Sequence, residues 1–162
     1  MNFIKRIPFK KISLALIAVL IICQFFTIDK TNPTSDKSLD FGNVTSASAE
    51  LSMILKASCY DCHSNEIKYP WYTNIAPISW WIKNHINEGT EELNFSIFGS
   101  YKSRRQDKKL KECIEIIYEG EMPMSSYTLI HRDASLTNDQ KETLINFFTS
   151  LRNYESDQPK KP

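Results

Sequence analysis

Cys59-Tyr60-Asp61-Cys62-His63 places two thiols three positions apart, with an imidazole directly behind the second. Four chemistries compete for such a run. A thioredoxin-like redox pair needs a strand–helix–strand setting, and no strand pattern precedes Cys59. A zinc centre could add His85 or His131, but ligands at adjacent positions 62 and 63 chelate one tetrahedral ion awkwardly. A plain disulfide is the simplest alternative. The fourth is covalent haem attachment, in which each thiol forms a thioether with one vinyl group and the histidine becomes the proximal iron ligand. The run falls at the end of an amphipathic helical pattern, downstream of an apolar export-type segment, and that placement favours one covalent haem c.

A second axial ligand should come from later in the chain. Glu121-Met122-Pro123-Met124 follows a helical segment, with Met122 59 residues after His63. Methionine sulfur is a soft ligand that raises haem potential relative to a second histidine. Pro123 lacks an N–H and stiffens the strap. Methionine between helices is also common core filler. The expected axial pair is His63 and Met122, with Met124 and His131 as alternatives. His131 could instead pair with a propionate. His85, on an apolar stripe, reads as a core histidine.

Four helical segments must position these residues. Ser48–Ser58 carries Leu51, Ile54, Leu55 and Ser58 on one face and leads into the motif. Pro77 suits the first turn of the next helix, which stacks Ile78, Trp81, Ile82, His85 and Ile86 and should stop at Gly89. A third, from about Asp107 to Glu119, aligns Leu110, Cys113, Ile114 and Ile117, with Gly120 as terminator. Thr137 and Gln140 have capping-box spacing ahead of Leu144, Phe147, Phe148 and Leu151. No alternating strand pattern appears, so the expected fold is all-α, a small helical domain whose core a large apolar cofactor would help to fill.

Ile12 to Ile28 is uncharged, preceded by Lys5, Arg6, Lys10 and Lys11 and followed by Asp29. Seventeen residues of helix span roughly 25 Å, enough for a bilayer core if flanking lysines snorkel. The basic flank should stay cytoplasmic, giving a single-pass protein of a bacterial cytoplasmic membrane with its haem domain on the periplasmic side. Cleavage as a signal peptide is the alternative, but the nearest small-residue triplet, Ala47-Ser48-Ala49, lies far downstream. The expected organisation is an anchor over 1–29, a polar linker over 30–46 with little to bury, a haem-binding domain over 47–152 and a polar tail over 153–162.

The 162 residues include 41% hydrophobic and 24% charged, the composition of a globular protein rather than a disordered one. Net charge is +1, but all 19 acidic residues lie from Asp29 onward, after the four basic residues of the amino terminus. The remainder carries about −3, which excludes the basic footprint of a nucleic-acid partner. Lys102, Arg104, Arg105, Lys108, Lys109 and Lys111 form a basic cluster that reads first as a solvated face, and secondarily as a docking face for an acidic redox partner.

Beyond the motif, Cys62-His63-Ser64-Asn65, Tyr69-Pro70-Trp71-Tyr72, Ile75-Ala76-Pro77 and Trp80 resemble a family of small bacterial haem-binding domain proteins. Gly89, Asn94-Phe95-Ser96, Met122-Pro123, Tyr127, His131 and Leu136 continue the likeness over about residues 47–150. The resemblance implies a variant of the monohaem cytochrome c fold. Met124 departs from it, standing where another apolar residue is expected. Tyr69, Trp71, Tyr72, Trp80 and Trp81 are then expected to wall the haem. With no acid–base pair in sight, the expectation is a membrane-tethered electron carrier with a redox partner protein, not an enzyme; the alternative is a haem-based sensor or small-ligand binder with a displaceable methionine.

Overall fold

The computed structural model describes residues 9–156 and, for side chains, residues up to 152. Every regular element among the described residues is helical: α1 (Phe9–Cys23), α2 (Phe41–Val44), α3 (Ala49–Ser58), α4 (Tyr60–His63), α5 (Ile78–Glu92), α6 (Ser103–Glu119), α7 (Ser125–Thr128) and α8 (Asn138–Ser156), joined by short 3₁₀ turns. The chain divides into two compact units. One comprises residues 9–31 with Tyr69–His85, the other Asn32–Lys68 with the chain from Ile86 onward.

The second unit holds the core. α3 starts where Ser48 caps it, its hydroxyl accepting from the Leu51 N–H at 3.2 Å, and buries Leu51, Ile54 and Leu55. α6 and α8 pack along each other through Leu110, Ile117, Leu144 and Phe148, the stripes read from the sequence. α6 stops at Gly120, whose φ of 76° suits a residue without Cβ, and the Glu121 N–H returns to the Ile116 carbonyl at 3.1 Å. The capping box before α8 is formed on both sides: the Thr137 N–H donates to Gln140 at 2.9 Å and the Gln140 N–H to Thr137 Oγ1 at 3.2 Å.

Two of the expected boundaries are crossed by ordered elements. Within the supposed linker over 30–46, Phe41 is 0% exposed and meets Phe95, Phe98 and Phe148 edge-on at 4.8 to 5.9 Å. One aromatic ring is enough apolar area to pull a polar stretch into a core. At the other end, α8 continues past residue 152 to Ser156, and the rest of the expected tail lies outside the described residues.

In the first unit, the apolar helix ends at Cys23 rather than running to Ile28. Gln24 is the cause: its amide donates to the Leu20 carbonyl at 2.8 Å and the Ala76 carbonyl at 2.9 Å, and accepts from the Ala76 N–H at 3.1 Å. The Trp80 indole then holds the Phe26 carbonyl at 2.8 Å. The 15 residues of α1 span only about 22 Å. Among the described residues no helix is long and apolar enough to cross a membrane. α1 nevertheless buries none of its residues and exposes leucine, isoleucine and valine along its whole length. Lys5 and Arg6 of the basic flank lie outside the described residues.

Candidate functional site

The motif forms a single helical turn. Cys59 closes α3 with its N–H on the Leu55 carbonyl at 2.9 Å, and its own carbonyl accepts from Cys62 at 3.2 Å and His63 at 3.0 Å. Positions three apart on such a turn share a side, so the two thiols belong to one face. Tyr60 pins the turn from within. It is 5% exposed, its ring stacks on Phe95 with centroids 5.3 Å apart, and its hydroxyl donates to the Asp40 carboxylate at 3.1 Å. Burial first, and then the Asp40 charge, push its phenol well above the usual range.

His63 is oriented by the end of α5. Its Nδ1 lies 2.8 Å from the Gly89 carbonyl and 3.1 Å from the Leu93 carbonyl. Both neighbours only accept, so Nδ1 carries the proton and Nε2 keeps its lone pair. The Gly89 carbonyl also accepts the Leu93 N–H at 3.0 Å, so one oxygen serves both the helix end and the ring. Burial lowers the imidazole's pKa, with the two carbonyl contacts opposing it. Phe95 stands edge-on to it at 6.5 Å.

Gly89 was expected to end its helix, but α5 runs on to Glu92. The glycine answers another need. A Cβ there would sit 2.8 Å from the Cys62 carbonyl oxygen and 3.4 Å from His63 Cε1. The helix tolerates glycine because the motif turn lies directly against its backbone.

All four cysteines are free thiols. Burial, with the Cys113 and Cys62 thiols adding, pushes Cys59 up to about 12. Burial and then Asp61 push Cys62 up to about 11. Such thiols stay protonated at neutral pH, unlike the depressed thiol of a dithiol redox pair. Among the described residues no group of three or more Cys, His, Asp or Glu converges on one point, so the zinc alternative finds no cage.

The segment after the motif is locked by a polar network the sequence reading had not assigned. Ser64, Asn65, Asn94 and Ser96 are all buried. The Asn65 N–H donates to Ser96 Oγ at 3.0 Å, Asn94 Nδ2 to Asn65 Oδ1 at 2.7 Å, and the Ser96 N–H to Asn94 Oδ1 at 3.0 Å. Buried polar groups are stable only when satisfied in this way.

Met122 and Met124 are half-buried in the strap between α6 and α7, which bends at Met122-Pro123. Met124 starts α7 by accepting the Tyr127 N–H at 3.0 Å. The Tyr127 hydroxyl donates to Asp61 inside the motif at 2.6 Å, and the His131 ring stacks on Tyr127 at 4.4 Å. The strap is therefore joined to the motif turn.

The expected aromatic wall lies in the first unit and is open to solvent: Trp71 is 74% exposed, Trp81 50% and Trp80 38%. His85 is half-buried with its ring 4.3 Å from that of Trp81. In the basic cluster, Lys109 is not solvated. It is 8% exposed, and Glu92 and Glu112 both accept from its ammonium at 2.8 Å. Arg105 lies over the Tyr101 ring at 4.1 Å.

Two free thiols three positions apart on a turn, followed by an imidazole whose Nδ1 is held by two carbonyls and whose Nε2 keeps its lone pair, are a donor set that fits a haem. This defines a haem-binding class of helical domain. The chain belongs to the haem-binding domain family, whose model matches residues 18–150, 133 of the 162 residues. No curated protein and no solved structure gave a match to the chain.

Proposed function

We propose that the protein is a membrane-tethered monohaem c-type cytochrome that transfers electrons to or from a protein partner. Cys59 and Cys62 would hold the haem as thioethers, each adding sulfur to one vinyl carbon and hydrogen to its neighbour, so that no oxidant is consumed. His63 would bind the iron through Nε2. The single observation behind this reading is the bond of His63 Nδ1 to the Gly89 and Leu93 carbonyls, which fixes tautomer and ring orientation and strengthens the imidazole as a donor. When bound, the haem supplies one-electron exchange at iron.

On this reading Met122 would be the second residue to hold the iron, with Met124 and His131 as rivals. A closed coordination shell suits a carrier and leaves no place for a substrate, so no catalytic role is proposed. The membrane tether is supported by α1, which is apolar on every side and buries nothing. Its carboxyl end would face the outer side of the cytoplasmic membrane.

Expression with a c-type maturation system tests the assignment. Haem should survive acid–acetone extraction and denaturing electrophoresis, and Cys59→Ala with Cys62→Ala should abolish that retention. A colourless protein with stoichiometric zinc would refute it. Met122→Ala should remove the far-red sulfur-to-iron absorption band and lower the potential, while Met124→Ala should spare both. The reverse pattern moves the ligand to Met124. A wild-type spectrum with two nitrogen ligands moves it to His131 and contradicts a high-potential carrier.

A further inference from the structure

Asp61 is one of the two residues between the attachment cysteines, and thioether formation makes no use of it. Its carboxylate nevertheless accepts the Tyr127 hydroxyl at 2.6 Å, across 66 positions of sequence. A hydrogen bond to a carboxylate at this length belongs to the strong, charge-assisted kind. Tyr127 lies within α7, the single turn that opens at Met124. The Tyr127 and Thr128 N–H groups both donate to the Met124 carbonyl at 3.0 Å. From the other side, the His131 N–H donates to the Tyr127 carbonyl at 2.9 Å, and the two rings stack within 19° of parallel. The phenol is thus fixed at its ring, its backbone and its hydroxyl, and the last of these ends on the motif.

We propose that Tyr127 and Asp61 form a latch that ties the methionine strap to the haem-attachment turn and sets how readily an external ligand displaces the strap from the iron. The latch rests on the haem reading given above. Both are positioning residues, since they act through the strap and the motif turn. Without the hydroxyl bond, α7 keeps its own turn but the strap loses its tie to Asp61, and a strap sulfur holding the iron would detach more often. A tie that served stability alone would change the unfolding transition and leave ligand exchange untouched.

The haem-loaded full chain provides the test. Tyr127→Phe deletes one oxygen and keeps the ring that stacks on His131, while Asp61→Ala removes the acceptor. Haem staining on a denaturing gel should be unchanged in both, because Cys59, Cys62 and the His63 contacts are intact. Carbon monoxide binding to the reduced protein should accelerate about tenfold or more in each variant, the scale expected for losing a bond to a charged group. The far-red band of the oxidised protein should weaken in parallel. The double variant should bind no faster than the faster single one, since one bond cannot be lost twice. Rates and spectra equal to wild type in both single variants overturn the latch, as does acceleration in Tyr127→Phe alone. A wild type that sheds its haem on the gel refutes the covalent reading and the latch with it, whereas retained haem with unmoved rates refutes the latch alone.

Discussion

At the scale of single residues, the site depends as much on an absent side chain as on those present. Gly89 lies inside α5, where alanine ordinarily stabilises a helix by up to about 1 kcal/mol. Here the sign should reverse. The added Cβ would meet the Cys62 carbonyl at 2.8 Å, and that contact is backbone, which cannot swing aside. Gly89→Ala should cost about 1–3 kcal/mol in denaturant unfolding. It should also lower the haem-to-protein absorbance ratio, because His63 takes its orientation from the same carbonyl row. A gain in stability would contradict the close approach. Glycine in an apolar helical pattern signals a stop or a contact equally well, and only the neighbouring backbone decides between them.

At the scale of elements, short pieces count for more than their length suggests. α2 is one turn of four residues, yet it delivers Phe41 to the centre of the core. Phe41→Ala should cost about 3–5 kcal/mol by chemical denaturation, the range for a large buried ring, although it falls in a stretch that reads as linker. The carboxyl end of α5 is joined to α6 by Lys109, between Glu92 and Glu112. Hydrogen bonding to Lys109 is the main cause holding both carboxyls below the usual range of about 4.5, while burial opposes it. For Lys109 burial works the other way, but its two partners outweigh it and raise the ammonium. A carboxyl depressed in the folded state contributes stability above its unfolded pKa and loses it as pH falls through the folded value. Acid titration from pH 5 downward should therefore weaken the protein progressively. Lys109→Met should flatten that part of the profile, measured as unfolding midpoint against pH, and an unchanged profile would remove the pair from the account.

At the scale of the whole molecule, one of the two units carries an apolar helix that buries nothing, while the other holds a well-packed helical core. The exposed length of α1, roughly 22 Å, falls short of a bilayer core of about 30 Å. Lys10 and Lys11 in its first turn could snorkel to cover part of the difference. If the tether reading holds, the full chain should remain with membranes after alkaline carbonate washing, and protease should reach the haem domain from the outer face only. Recovery in the soluble fraction with a mature amino terminus near residue 30 would establish cleavage instead.

What the sequence determined by itself were the features written within a turn or two of chain. The spacing of Cys59, Cys62 and His63, the stripes of α3, α6 and α8, the box at Thr137 and Gln140 and the stop at Gly120 each follow from local geometry, which repeats wherever the residues do. Tertiary structure alone decided the burial of Phe41, the role of Gly89, the early end of α1 at Gln24, the pairing of Lys109 with Glu92 and the bond from Tyr127 to Asp61. Those partners stand from 17 to more than a hundred positions apart, and most belong to different elements. Such pairs carry no periodic signal, since they meet only once the path of the chain between them is fixed. The placement of the strap belongs to this second group, because a methionine's neighbours in space are set by packing rather than by its neighbours in sequence.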